Sequence, residues 1–287
     1  MNESSMWELI VVTIALLLII ANIFKYPKIN EGFSTRHIEK TNDDIYDHFY
    51  SKIYDYLVFS NVRNDYEVGE IINQTKPTEK SVILDIGCGT GNVVNEFHKR
   101  GFNVIGVDKS QEMINITKEK YSLEQLIKGN VLDQHLFHFN QFTHILCLYF
   151  TIYYMKNKIL FFENVYDWLK PGGFFVLHLV NREKFNATLP MNVFERRKST
   201  NVTKIPFQDF NYEARFDIDK ETNIGFFREK FKNHNGGSRK NIHQFYMEDQ
   251  ATILNMAQRV GFIVEGKIDM QKIKYDYQYL YILKKPF

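Results

Sequence analysis

Residues 82–92 read VILDIGCGTGN. An apolar run passes through a carboxylate, Asp85, and Gly87, Gly89 and Gly91 then follow on alternate positions. Glycine accepts positive φ and has no Cβ to keep a ligand from the backbone, so a strand end, a tight turn and a helix start built this way form a cradle. The stretch restricts the chain to an α/β fold that binds its ligand at the carboxyl ends of parallel strands. The Gly-x-Gly-x-Gly spacing departs from the dinucleotide fingerprint Gly-x-Gly-x-x-Gly, and the helix start lacks the lysine of a P-loop. Asp85 repels a pyrophosphate and attracts an ammonium, so a cofactor bearing an amino acid fits better than a dinucleotide. Asp108 ends the next strand, NVIGVD, where a carboxylate can accept both ribose hydroxyl protons.

Short apolar runs alternate with helical patterns from this point on. Strands are expected at 81–86, 103–108, 126–128, 143–148 and 174–180, with helices at 92–100, 110–120 and 158–169. Pro171-Gly172-Gly173 is expected to stop the last of these helices. Such a rhythm predicts a parallel sheet covered on both faces. After Val180 the period changes to two: Phe210, Tyr212, Ala214, Phe216 and Ile218 alternate with polar residues, and two turn-bounded runs follow at 223–231 and 240–247. This predicts a three-stranded antiparallel meander inserted at 182–247. A helix at 249–260 and strands at 262–268 and 279–284 close the domain, which is expected to span 43–287.

Three segments together, VILDIGCGTGN, VIGVDKSQEM and LKPGGFFVL, resemble the class I S-adenosylmethionine-dependent methyltransferases. The similarity covers about residues 46–287, with the meander its least specific part. It implies a Rossmann-like seven-stranded sheet with an antiparallel last strand, and S-adenosylmethionine as cofactor. By this resemblance Gly87, Cys88, Gly89 and Gly91 form the turn at the cofactor's methionine part, beside Asp85, and Asp108 holds the ribose. Lys109 and Met113 flank the adenine, Asn130 and Val131 meet its edge, and Leu148 faces the ribose and sulfur. A lid helix before the cradle is implied as well, with Tyr54 and Arg63 near the amino-acid end.

Absences narrow the methyl acceptor. LYFTIYYM, after the fourth strand, is neither the Asp/Asn-Pro-Pro-aromatic turn of amino-group methylases nor a Pro-Cys pair. The paired-glutamate loop of protein arginine methyltransferases is missing too. What remains resembles the broad group that methylates small molecules and some proteins, of which some small-molecule enzymes carry a substrate-covering sheet where the meander falls, and transfer to N or O of a small molecule is expected. Tyr153 and Tyr154 occupy the segment that faces the methyl group, and His178 is the best-placed candidate base. Packing of either tyrosine, and a satisfied structural histidine, are the competing readings. No metal is expected. A protein or RNA methyltransferase, or an inactive module that binds cofactor and recruits a partner, remains the alternative. A nicotinamide oxidoreductase is disfavoured by the glycine spacing and Asp85.

The formal net charge of +2 gives no general argument for nucleic acid. Arg196-Arg197-Lys198 reads as a solvated face. The two cysteines, Cys88 and Cys147, sit in the turn and in an apolar run, which suits a reducing compartment. Residues 7–24, WELIVVTIALLLIIANIF, form an apolar run long enough for a thin bilayer, at roughly 27 Å as a helix. No small-x-small cleavage site follows, so a retained single-pass anchor is expected, with 25–42 as a polar linker. Glu3 and Glu8 precede the run and Lys25 and Lys28 follow it, which places the domain on the cytosolic side. The sequons at Asn2, Asn73, Asn115, Asn186 and Asn201 are expected to be chance matches.

Overall fold

The structure is a computed structural model and describes Trp7, residues 10–14, 37–185, 202–207, 209–234 and 236–287. Most of the 7–24 run, residues 25–36, the Arg196-Arg197-Lys198 cluster and the sequons Asn2, Asn186 and Asn201 lie outside the described residues. Among the described residues no helix is long and apolar enough to cross a membrane.

In chain order the elements begin with strand β1 (His37–Thr41) and helices α1 (His48–Val58) and α2 (Asn61–Thr75). The βα units follow as β2 (Val82–Ile86), α3 (Asn92–Lys99), β3 (Asn103–Asp108), α4 (Gln111–Tyr121), β4 (Leu126–Lys128), β5 (Phe142–Cys147), α5 (Lys158–Trp168) and β6 (Leu169–Val180). Next come β7 (Val202–Pro206), β8 (Phe210–Asp219), β9 (Ile224–Asn233) and β10 (Ser238–Tyr246), then α6 (Gln250–Val260), β11 (Ile263–Asp269) and β12 (Gln278–Lys284). The helix starts carry their own caps. The side chains of Asp47, Ser60, Ser110, Asn157 and Asp249 each accept an N–H from the first turn of α1, α2, α4, α5 and α6, each worth about 1 kcal/mol.

A seven-stranded sheet runs in the order β11-β12-β6-β5-β2-β3-β4. Strands β2 to β6 pair in parallel, β12 is antiparallel to β6, and β11 is antiparallel to β12. The expected sheet and its antiparallel last strand are therefore present. The Pro171-Gly172-Gly173 segment is a bulge within a strand rather than a stop between helix and strand. Gly172 has φ +76°, and a Cβ there would lie 2.6 Å from the Phe287 ring. The ladder with β5 shifts register between Phe142 and His144 and resumes.

The meander is one part of a five-stranded sheet, β1-β10-β9-β8-β7. Its three central strands fall where the alternation put them. The segment read as a linker contributes β1, which pairs in parallel with β10 from His37 opposite Ser238. Five residues with one apolar position, Ile38, carry little periodicity of their own, and what makes them a strand is the free edge of β10. The domain therefore begins no later than His37, not at residue 43. The inner face of this sheet, with Phe210, Tyr212, Ala214 and Phe231, packs against Ile45 and against Phe49, Tyr50, Ile53 and Leu57 of α1. Burying such side chains contributes roughly 1.5–3 kcal/mol each, and it clamps α1 between the second sheet and the glycine turn.

Candidate active site

Gly87, Gly89 and Gly91 all have positive φ, at +70°, +53° and +75°. Two of them are also sterically required. A Cβ on Gly87 would lie 2.6 Å from Thr151 Cγ2, and one on Gly91 2.1 Å from Thr117 Cγ2. Gly89 differs, since the nearest atom to its Cβ position is Tyr54 Cε1 at 3.9 Å, in the cavity wall. The turn is held from above by α1: Asp55 Oδ1 accepts from Thr90 Oγ1 at 2.5 Å and Asn92 Nδ2 at 3.0 Å, and Lys120 binds the other oxygen. Cys88 is buried, and burial with the nearby Asp108 and Asp85 holds its thiol well above the usual range.

One continuous cavity of about 2040 Å³ opens onto this turn. At one end stand Arg63, Glu67 and Asp85, all buried. Arg63 Nε donates to Glu67 Oε1 at 2.8 Å, and its guanidinium stacks 3.6 Å above the Tyr149 ring. Arg63 Nη2 is buried and has no hydrogen-bond partner among the described residues. Burial raises the Asp85 carboxyl well above the usual carboxylate range, and the charges of Asp108 and Glu67 add to it. Two carboxyl groups, Glu67 and Asp85, stand at this end with one guanidinium whose Nη2 is unpartnered among the described residues, which favours a ligand that brings both positive charge and one carboxylate. The amino-acid end of S-adenosylmethionine has that composition, so the residues fit the cofactor, with Arg63 Nη2 as the natural partner of its carboxylate.

Asp108 stands at the middle of the cavity. Its Oδ2 accepts from Gly89 N at 2.9 Å and its Oδ1 from Ser110 N at 2.8 Å. Each oxygen retains a lone pair for a ribose hydroxyl. Burial lifts its carboxyl above the ordinary value, while the Ser110, Gly89 and Lys109 amides pull the other way. Met113, Asn130, Val131 and Leu148 line the cavity beyond it, and Met113, Val131 and Leu148 are buried, as an adenine slot requires. Lys109 also lines the wall, with its ammonium bonded to Asp43 in a solvent-exposed pair.

The expected acceptor-facing residues divide. Tyr154 lines the cavity, and Tyr153 does not. Tyr153 is fully buried in the core beside α5 and β6, and its hydroxyl accepts from Val180 N at 2.9 Å. Consecutive residues of a 3-10 turn point in different directions, and sequence order alone could not say which faced inward. Tyr153→Phe should leave the Val180 N–H unpaired and cost about 1–3 kcal/mol in denaturant unfolding. Cofactor affinity should stay at the wild-type value, and a fall in affinity without a stability loss would return Tyr153 to the site.

His178 does not line the cavity. It lies behind the cavity wall, fully buried, and its Nδ1 donates to the Tyr149 carbonyl. Burial and then the Arg63 charge push its pKa down to about 3, so it is neutral at working pH and takes up no proton there. Its role is to hold Tyr149, which has φ +55°, a left-handed backbone that a bulky residue rarely adopts. Tyr149 is further pinned by its hydroxyl, which donates to Val58 O at 2.7 Å. Such strain, about 1–3 kcal/mol, persists only when neighbours over-determine it.

Two residues beside Tyr154, His243 and Glu229, were not among the sequence candidates. Tyr46 Oη bonds Tyr154 Oη at 2.6 Å, and Tyr154 Oη bonds His243 Nδ1 at 2.6 Å. His243 Nε2 in turn bonds Glu229 Oε2 at 2.8 Å. Tyr46, Tyr154 and His243 all line the cavity, with Phe216, Phe227 and Phe245 around them. His243 and Glu229 come from the inserted strands β10 and β9, and only the alternation of those strands could have hinted that they share the inner face.

Residues 83–173 match the family model described as a methyltransferase domain. The ubiquinone biosynthesis O-methyltransferase of Rickettsia felis is 29% identical over 137 residues, which covers 47% of this chain and 55% of that protein. The chain spans about half the length of the first curated relatives it matches. The crystal structure of an S-adenosylmethionine-dependent methyltransferase from Clostridium acetobutylicum superposes with a TM-score of 0.64 at 18% identity, covering 84% of this chain and 97% of that one. The CcbJ methyltransferase from Streptomyces caelestis gives a TM-score of 0.64 at 16% identity, over 84% and 98% of the two chains. At these identities the two structures establish a shared fold.

Proposed function

We propose that this chain, which carries a class I S-adenosylmethionine-dependent methyltransferase domain, transfers a methyl group to a nitrogen or oxygen of a small molecule. The observation that carries the reading is the shape of the cavity. The cofactor-type cradle and a ring-lined compartment are two ends of one space of about 2040 Å³, and ligand pockets for one drug-sized molecule are usually roughly 300–1000 Å³. The space suits a cofactor and a second small molecule end to end.

The cofactor, when bound, supplies a sulfonium methyl that reacts by in-line displacement. The chain's own residues supply alignment and dryness. Arg63 and Asp85 receive the amino-acid end, and Asp108 receives the ribose. Tyr54 lies against Gly89 of the turn and Tyr149 lines the same cavity, and their rings exclude water where charge moves.

The apolar run 7–24, with Lys25 and Lys28 after it, supports a single-pass anchor with the domain on the cytosolic side. Trp7, Ile10, Val11, Val12 and Ile14 are exposed, which suits lipid contact. One experiment on the full-length protein tests both parts. Expressed in cells, it should stay with the membrane pellet through an alkaline carbonate wash. Incubated there with deuteromethyl-labelled cofactor and cell extract, it should label the small-molecule fraction. Label confined to protein or RNA would replace the acceptor class, and full release into the wash would remove the anchor.

A further inference from the structure

The inserted sheet does more than cover the cavity. Glu229 of β9 and Asn241 of β10 stand directly opposite each other in the antiparallel register. His243 is the diagonal neighbour of Glu229 on the same face, within reach of a long side chain. Glu229 is almost wholly buried, and its oxygens accept from Tyr212 Oη at 2.7 Å, Asn241 Nδ2 at 3.0 Å and the His243 ring at 2.8 Å. Arg239 Nε donates to Asn241 Oδ1 at 2.8 Å and steadies the amide from behind. Burial raises the Glu229 carboxyl, but the bonds from His243, Tyr212 and Asn241 outweigh it and leave the group below the usual range, ionised.

An ionised Glu229 takes the Nε2–H of His243, which makes Nδ1 the accepting nitrogen. The Tyr154 hydroxyl therefore donates to Nδ1 and accepts from Tyr46 Oη. The groups facing His243 are Tyr46 and Tyr50 before and on α1, Tyr154 after β5, and Phe227, Glu229 and Phe245 on the sheet. Glu229 is the only charged side chain among them. A carboxylate, an imidazole and a phenol are thus joined in one line, and the phenol end opens onto the ring-lined compartment.

We propose that Glu229, His243 and Tyr154 form a proton-accepting relay, and that the acceptor is an aromatic small molecule methylated at a hydroxyl oxygen. The proposal rests on the methyl-transfer reading above and deepens it. The step is a proton transfer. The acceptor's O–H proton passes to the Tyr154 oxygen as the Tyr154 proton passes to His243 Nδ1. The acceptor oxygen keeps the electron pair with which it attacks. The imidazolium that forms is stabilised by Glu229 and returns its proton to water after product leaves. Tyr154 is then the catalytic residue, and His243 and Glu229 act through it. The walls of Phe216, Phe227 and Phe245 suit a ring that presents its hydroxyl to the relay.

The test uses 4-nitrophenol, whose anion is yellow and whose neutral form is colourless. Titrated with full-length protein bearing S-adenosylhomocysteine, below the free probe's midpoint, the wild type should show about tenfold more anion than free solution, a one-unit shift. Glu229→Gln, His243→Gln and Tyr154→Phe should each return the bound probe to its free-solution behaviour. S-adenosylmethionine affinity, measured by calorimetry on cofactor-free preparations of the same proteins, should stay unchanged, because none of the three residues belongs to the cradle. Glu229→Gln keeps the size and most bonds of the network, so it carries the test if His243→Gln fails to fold. Wild-type colour in Glu229→Gln, or a wild type that leaves the probe neutral or unbound, overturns the relay. Loss of cofactor binding by the wild type overturns the methyltransferase reading instead.

Discussion

Arg63→Leu should destabilise the protein by about 3–5 kcal/mol, the usual consequence of stranding one partner of a buried ion pair. Arg63 and Glu67 are both buried, one helical turn apart on α2, with Arg63 Nε 2.8 Å from Glu67 Oε1. Burial already raises the Glu67 carboxyl, and Arg63 is what pulls it down. Without the guanidinium, Glu67 must either remain charged in an apolar wall beside Asp85 or take up a proton. Urea unfolding of Arg63→Leu and of the double variant with Glu67→Leu measures this. The double variant should recover a large part of the loss, since two apolar side chains leave no charge uncompensated. A loss below about 1 kcal/mol in the single variant would mean that water reaches the pair. A second readout separates function from stability. Arg63 Nη2 has no protein partner among the described residues, so the stabilisation that S-adenosylmethionine confers on the wild type should be absent in both variants.

Asp108→Ala should weaken S-adenosylmethionine binding by about 2–4 kcal/mol, the worth of two charge-assisted hydrogen bonds. That is a loss of roughly 30- to 700-fold in affinity. The effect has two parts, because the same carboxylate accepts the Gly89 and Ser110 amides. Removing it frees the turn as well as the ribose. Asp108→Asn separates them, since the amide keeps one acceptor oxygen and can satisfy one of the two N–H groups. Calorimetry on the domain from residue 37 onward is the measurement. Equal affinity in wild type and Ala variant would sink the ribose assignment, and tight NADH binding would sink the cofactor.

The cofactor half of the cavity was legible in the sequence, and the acceptor half largely was not. Asp85, Gly87, Cys88, Gly89, Asp108, Met113, Asn130, Val131 and Leu148 all line the cavity. Met113 sits in the first turn of α4 and the others at strand ends or turns, all defined by their own neighbours. Tyr54 and Arg63 also line it, although the helices that carry them precede the cradle. Of the sequence candidates, Gly91, Tyr153 and His178 do not line it, and the last two share one cause. Both are near the expected place along the chain, but a side chain's direction at a strand end depends on local twist and on what packs behind it. Tyr149 was overlooked because nothing in LYFTIYYM shows which residue takes a left-handed backbone.

What the sequence determined by itself rests on short-range physics. Glycines at alternate positions must turn, because only they accept those dihedrals at no steric cost. Apolar runs of period two must be strands if half of each run is to be buried. The capping residue Ser110 marks the start of α4 through a bond only three residues long. These rules produced the order of the elements and the cradle. The tertiary structure alone decided that residues 37–41 complete the second sheet, because a short segment becomes a strand only when an unpaired edge is offered to it. It alone brought Glu229 and His243 from the inserted sheet to Tyr154 after β5 and Tyr46 before α1. Their meeting depends on strand register and on the packing of α1 between two sheets. Those are long-range quantities, set by burying the aromatic faces of α1 and of strands β8 to β10, and no local pattern in the chain encodes them.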